Sequence, residues 1–410
     1  MTTLPRIARR VFFAGAFAAA ALMAYGLAPQ GVAAAPLPVT MPVAPTGGTW
    51  SGPAPTDVRM SPADRADLQS LLEANVSLWG GQVPGAWVGV WDPTKGWAIV
   101  STGSAVVGGA GARNADHSRI GSVTKTFVAT QILRLVDRGR LRLAQTVGDL
   151  LPSVARAHPY VKDVTVRQLL GMRSGIADYT EVPGVIKEAY ENPGRDWTAR
   201  QLIEIALDST TVLGPPRYSN TNYLLLGEIA RAVTGRSIFA LVNADLKRLS
   251  LTQTRLPVPG DNAMPAPATK GYIYDAGLLS FAGAGLDIQS GDEQQDDVTQ
   301  WGQAAGAMYS TVADMGRWAA TGLGLSELSP ALAAQRQAFR PINGGTIRYG
   351  LGMESFGGDW VGHDGQAIGW ESRVAYNTKT GAAAVVLVNE TGSLGFLLPV
   401  LRAYFPDMSN

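Results

Sequence analysis

Apolar positions in this chain repeat with two different periods, and the switches between them lay out the elements. From Arg119 to Gly139, the residues Val123, Phe127, Val128, Ile132, Leu135 and Val136 recur at helical spacing, and Gly139 supplies a left-handed stop. The same period predicts helices over residues 62–77, 166–170, 198–207, 223–233 and 237–249, the first opened by the cap-plus-proline pair Ser61-Pro62. A period of two predicts strands over 86–91 and 97–101, joined by the turn Asp92–Gly96, and a second hairpin over 368–377 and 382–389. Trp87, Trp91 and Trp97 are expected to pack a sheet face. Strands near both ends with helices between them predict an α+β fold: an antiparallel β-sheet flanked by helices, with an adjacent inserted, mostly helical domain. The sheet domain is expected from residues 61–140 and 300–410, and the helical domain from 141–299. The polar run 290–297 is expected to be a solvated loop, Ser310-Thr311 followed by Asp314 a helix cap, and His117 and His158 surface or loop residues.

The first sixty residues break this pattern. Arg6, Arg9 and Arg10 precede an apolar run from Val11 to about Leu27, and the small residues Gly31 to Ala35 follow. Residues 1–34 are expected to be an export signal, with Arg9-Arg10-Val11-Phe12-Phe13 resembling a twin-arginine pattern. Residues 35–60, rich in Pro, Gly, Thr and Ser, read as a linker. The expected location is therefore outside the cytoplasm, in the periplasm or cell envelope or secreted.

Composition mainly removes possibilities. A formal net charge of +1 points to no nucleic-acid partner. The chain has no cysteine, which excludes disulfides, thiolate metal sites and a cysteine nucleophile. No cluster has metal-ligand spacing and no cofactor motif is present, so neither a metal nor a cofactor is expected.

Candidate chemistry centres on Ser122, at the start of the helix that follows Gly121, with Lys125 three residues on. A helix places that hydroxyl and amine side by side, a nucleophile beside a cation. A lone Ser-x-x-Lys is a weak signal, and no serine stands in a Gly-x-Ser-x-Gly elbow. Two further segments strengthen it. Arg217-Tyr218-Ser219-Asn220 lies on a loop just before a helix, where Tyr218 can be held rigidly and take the Ser122 proton, either as a phenolate or as a phenol exchanging its own proton through Lys125. Gly362-His363-Asp364-Gly365-Gln366 stands at the start of the last hairpin, where Gly365 admits a substrate backbone and the Gln366 N–H can join that of Ser122 as an oxyanion pair.

Ile120-Gly-Ser-Val-Thr-Lys125, Tyr218-Ser-Asn220 and His363-Asp-Gly365, in that order, resemble the three motifs of the penicillin-recognising serine hydrolases. Within these, the likeness is to the class C β-lactamase, serine D-Ala-D-Ala carboxypeptidase and esterase group. It extends from about Pro62 to the C-terminus, supported by Leu169 to Gly175, Asn220 to Gly227 and Ala305 to Thr311. The resemblance implies a cleft between sheet and helical domain, with Ser122 acylated and Lys125 and Tyr218 handling protons. It further implies that Asn220 holds the substrate amide and that His363 lines the pocket near a substrate carboxylate.

The third motif carries a histidine where β-lactamases usually have Lys-Thr-Gly, which shifts weight from an efficient lactamase to a peptidase or esterase. A literal Lys379-Thr380-Gly381 is expected to be the turn of the last hairpin. The expected activity is that of an exported D-alanyl-D-alanine carboxypeptidase, followed by a short-chain carboxylesterase and a weak β-lactamase. A catalytically silent envelope protein is the alternative of another class. The expected partner is a small-molecule or peptide acyl substrate, with the membrane involved only through an uncut signal.

Overall fold

The computed structural model describes residues 59–261, 263–273, 291–294, 300–392 and 394–408. The expected export signal and nearly all of the linker lie outside the described residues. Among the described residues, no helix is long and apolar enough to cross a membrane.

Strict alternation of side chains builds the centre of the molecule. Strands β1 (Gly85–Asp92) and β2 (Gly96–Gly103) form the first hairpin. Toward the other end come β3 (Arg340–Ile342), β4 (Ile347–Tyr349), β5 (Glu354–Ser355), β6 (Trp360–Ala367), β7 (Trp370–Asn377) and β8 (Ala383–Val388). They make one eight-stranded antiparallel sheet in the order β2-β1-β8-β7-β6-β5-β4-β3, so the two ends of the chain meet where β1 pairs with β8. Ala86, Val88 and Val90 of β1 pack with Val386 and Val388 of β8 on one face, together with Leu68 and Leu72 of helix α1 (Pro62–Ser77). Trp87 and Trp91 point to the other face with Val385 and Leu387, and with Trp97 and Trp318. Both faces are dry, so these strands are apolar at nearly every position and the tryptophans are core residues.

The second face carries α2 (Thr124–Asp137), which ends just before Gly139 at a φ of 68°. Ten of its residues are buried, Thr124, Lys125, Thr126 and Thr130 among them. A helix buried on all sides must find partners for those polar groups. Thr126 Oγ1 accepts from Trp318 Nε1 at 2.8 Å, and Arg336 donates to Thr126 O at 3.1 Å and to Thr130 Oγ1 at 2.9 Å. Beyond α2 lie α3 (Ala199–Asp208), α4 (Thr221–Thr234) and α5 (Ile238–Arg248) of the helical part. Helix α6 (Val312–Ala320), capped by Thr311 as expected, packs on β1 and β8, while α7 (Leu394–Tyr404) packs beside α1 on the first face.

Three expectations need correction. The polar run 290–297 is not all loop: Asp292–Gln294 is a strand paired with Gly271–Ile273, which in turn pairs with Glu390–Thr391; Ser290 and residues 295–297 lie outside the described residues. His117 is buried, with Nδ1 2.9 Å from Pro267 O and Nε2 3.2 Å from Gln253 Oε1. Residues 360–367 form a full strand, β6, rather than a lead-in to the last hairpin.

Candidate active site

Ser122 sits in a 3₁₀ turn, Gly121–Val123, that runs directly into α2. Gly121 adopts a φ of 47°, which favours glycine, and a Cβ built on it would meet the Gln366 backbone nitrogen at 2.5 Å. Gly365 is equally constrained, since its Cβ would fall 2.0 Å from Ile120 O. These two glycines let the nucleophile turn lie directly against β6, which brings the first and third motifs together. Ser372 Oγ closes the contact by donating to Ile120 O at 2.9 Å.

Lys125 donates to Ser122 Oγ at 2.8 Å, to Asn220 Oδ1 at 2.7 Å and to Ala305 O at 2.6 Å. Its amine also lies 4.9 Å from the Tyr218 ring centroid and 5.6 Å from that of Tyr223. Burial lowers its pKa to about 7, while the negative charges of Asp178 and Glu354 pull the other way. A large fraction of neutral amine therefore touches the hydroxyl near neutral pH, ready to accept its proton.

Tyr218 reaches the same crevice from the loop before α4. Its backbone N–H donates to Asn343 Oδ1 at 2.7 Å, and Asn343 N donates to Pro216 O at 3.1 Å, so the loop is clamped on both sides of Arg217. The Tyr218 hydroxyl is buried and makes no hydrogen bond of good geometry, although the nearby Ser122 hydroxyl favours its ionised form. Burial outweighs that effect and holds its pKa well above the ordinary value. A standing phenolate is therefore disfavoured. Lys125 is the better base, and Tyr218 is suited to pass on a proton it already holds.

The remaining motif residues are placed differently from their expected roles. Asn220 Oδ1 accepts from Lys125, and Asn220 Nδ2 donates to Asp178 Oδ2 at 2.9 Å. Its amide thus connects two charged groups at both ends. His363 is buried: its Nδ1 is 2.5 Å from Asp364 O, and its Nε2 is 2.8 Å from the Tyr349 hydroxyl. Burial and the Lys125 charge lower its pKa to about 3, which keeps it neutral. It packs edge-on against Tyr218, with ring centroids 6.2 Å apart, and forms the wall behind the phenol. Neither ring nitrogen is turned toward a substrate carboxylate, because both are engaged within the protein. The nearest basic group along β6 and β7, Arg373, is itself paired with Asp364 by two contacts of 2.6 Å.

Gln366 lies beside the Ser122 turn, and its side chain donates to Glu371 Oε1 at 2.6 Å. The decoy Lys379-Thr380-Gly381 is the β7–β8 turn, held by Asn377 Oδ1, which accepts from Lys379 N at 3.0 Å and Thr380 N at 2.9 Å. It lies at the Trp360 end of the sheet, away from Gly365. A second Tyr-x-Asn triplet, Tyr190-Glu191-Asn192, expected from the following Pro193-Gly194 to be a surface turn, instead closes a short helix, Val185–Glu191.

Three groups of the site carry no motif: the buried Tyr349 and Arg336, and the partly buried Glu354. Glu354 Oε1 is 3.5 Å from His363 Nδ1, and burial together with Asp364 raises its pKa to about 8. Arg336 donates to Leu351 O at 3.2 Å and so ties the segment carrying Tyr349 and Glu354 to α2. No periodicity announces such residues, since each acts through partners on other elements. Among the described residues, no group of acidic and histidine side chains could hold a metal ion.

Comparison with known proteins bears on the family and the fold. The profile of the Beta-lactamase family matches residues 67–403. A D-stereospecific amidohydrolase from Streptomyces sp. superposes with a TM-score of 0.70 at 28% identity, covering 83% of this chain and 98% of that one. A D-amino acid amidase from Ochrobactrum anthropi SV3, solved with D-phenylalanine, gives 0.68 at 22% identity, over 84% of this chain and 99% of the other. The octameric penicillin-binding protein homologue from Pyrococcus abyssi gives 0.67 at 22% identity, over 84% and 78%. These last two show likeness of fold alone. Penicillin-binding protein 4 of Amycolatopsis lactamdurans is 38% identical over 122 residues, which span 28% of this chain and 30% of that protein.

Proposed function

The chain belongs to the β-lactamase family of serine hydrolases, and from that premise we propose that it cleaves an amide bond on the carbonyl side of a D-amino acid through an ester on Ser122. The observation that carries the proposal is the 2.8 Å hydrogen bond between the buried Lys125 amine and the Ser122 hydroxyl. Ser122 attacks the carbonyl while its proton moves to Lys125. The oxyanion rests on the Ser122 and Gln366 N–H groups, and the leaving nitrogen takes a proton by way of Tyr218. Water then releases the acyl group by the reverse proton route. Each proton-handling or oxyanion role of this kind contributes about a hundredfold or more in rate.

The leaving group is where peptidase and amidase differ. A carboxypeptidase expels a free amino acid, whose carboxylate needs a cation nearby. His363 is neutral and internally bonded, and Arg373 is spent on Asp364, so an uncharged leaving group fits better. A primary amide of a D-amino acid or short D-peptide therefore leads, and a D-alanyl-D-alanine peptide follows. The 28%-identical neighbour named as a D-stereospecific amidohydrolase supports the same order. Ester hydrolysis would use the same steps. Export rests on the N-terminal pattern, which would place the substrate in the envelope or the medium.

The test is a panel: a D-amino acid amide and its L-enantiomer, a diacyl-D-Ala-D-Ala peptide, a p-nitrophenyl ester and a cephalosporin, each with wild type and Ser122→Ala. Turnover of the D-amide above the peptide, lost in Ser122→Ala, is expected. Faster turnover of the carboxylate-bearing peptide would restore the carboxypeptidase reading. Inertness of the wild type toward the whole panel, activated ester included, would favour a silent binding protein.

A further inference from the structure

We propose that Asp178 is a positioning residue for this hydrolysis: it fixes the Asn220 amide with its carbonyl oxygen on the Lys125 amine and sets a negative charge behind that contact. The inference rests on the reading of Lys125 as the base for Ser122.

Asp178 is 4% exposed and lies between α4 and the 3₁₀ turn Tyr179–Glu181. Each carboxylate oxygen has a defined task. Oδ2 accepts from the Asn220 backbone N–H at 3.0 Å and from Asn220 Nδ2 at 2.9 Å, while Oδ1 accepts from Thr180 N at 3.0 Å. An amide can flip, exchanging its oxygen for its nitrogen at no cost in shape. Here the flip is forbidden twice. It would turn the Asn220 carbonyl toward the Asp178 carboxylate and the amide N–H groups toward the Lys125 amine, each a clash of like polarity. The carboxylate thus selects the orientation in which Lys125 finds an acceptor at 2.7 Å.

That acceptor matters because Lys125 has only a few groups to hold it. Its bonded neighbours are Ser122 Oγ, Asn220 Oδ1 and Ala305 O, all uncharged. The titratable groups facing it are Tyr218 and Tyr223 beneath its amine, His363 on β6, Glu354 on β5 and Asp178. Of these, only the two carboxyl groups favour an ammonium, and Glu354 is largely protonated near neutral pH. Asp178 is therefore the charge that balances Lys125 when it holds the Ser122 proton.

The test is the pH dependence of Ser122 labelling by a fluorophosphonate, which reads activation of the nucleophile without reference to substrate. Asp178→Asn keeps the shape and an acceptor for Asn220 but removes the charge. The acid limb of the labelling rate is expected to move about one unit to lower pH, because an ammonium without its counter-charge loses its proton sooner. A merely structural role would lower Tm and leave the limb in place, which overturns the proposal. If Asp178→Asn does not fold, Asp178→Glu retains the charge and displaces the carboxylate. Labelling slowed about tenfold with an unmoved limb then supports the orienting role, and a wild-type rate overturns it. Failure of the wild type to be labelled at all would instead withdraw the Ser122 reading on which this rests.

Discussion

Gly121 and Gln366 are packed backbone to backbone, so closely that a methyl group on the glycine would lie 2.5 Å from the Gln366 nitrogen, 2.7 Å from its carbonyl carbon and 2.6 Å from its oxygen. All three are main-chain atoms, and no rotamer change can move them away. The contact fixes the distance between the nucleophile turn and the strand whose N–H completes the oxyanion pair.

Gly121→Ala should therefore separate the turn from β6 even if the protein folds. The substitution also strains a backbone at a φ of 47°. Labelling of Ser122 is expected to slow by about a hundredfold or more, the usual effect of losing one oxyanion donor. Gly306→Ala is the control, because a Cβ there would meet only backbone atoms of Gly121, none nearer than an ordinary 3.7 Å. Equal labelling rates for Gly121→Ala and wild type would mean that Gln366 takes no part.

Tyr218→Phe should divide activity from stability. The hydroxyl is buried without a well-formed hydrogen bond, so its removal leaves no partner unsatisfied. Tm is expected to change little, while acylation slows about a hundredfold through loss of the proton carrier. A large fall in Tm, or unchanged acylation, would show that the phenol serves the core rather than the reaction.

Much of this arrangement is legible in the sequence because it is built locally. Helix α1 begins at the Ser61-Pro62 pair, and Ser61 Oγ does accept from Asp64 N at 3.1 Å. The Trp and Val alternation in β1 marks its two faces. Strand β6 escaped because Gly362, His363, Asp364 and Gly365 interrupt its apolar period, and those same residues are what the site requires. Helix α7 is masked by its internal Pro399. The contacts of Asn220 and His363 were beyond reach for another reason. Their partners Asp178 and Tyr349 are polar residues that folding brings into the interior, and a motif records which residues recur but not what satisfies them.

Lys125 should set the acid side of the reaction. With its pKa lowered to about 7, the neutral form that accepts the Ser122 proton grows as pH rises through that value. The labelling rate is expected to climb about tenfold per unit below the limb and to level off above it. Lys125→Arg keeps the charge but cannot lose its proton, and should lack both the limb and most of the rate. A wild-type rate that is flat between acid and neutral pH would require another base.

Glu354 should make the folded protein weaker on the alkaline side. Its pKa is raised from 4.5 to about 8, because burial and the neighbouring Asp364 oppose a second negative charge. The folded protein therefore holds this proton more tightly than the unfolded chain does. The resulting stabilisation is complete below the unfolded value and is lost as pH rises through the folded one. Glu354→Gln stays neutral throughout. Its Tm relative to wild type is expected to rise from about pH 5 to about pH 9. His363 titrates with the opposite sense: its pKa falls from 6.5 to about 3, so the stability it carries above the upper value is lost in acid. Glu371, also raised, to about 7, is present in both proteins and drops out of the comparison. A Tm difference that stays constant across the range would mean that Glu354 is ionised in the folded protein, and that the wall behind Tyr218 carries a charge.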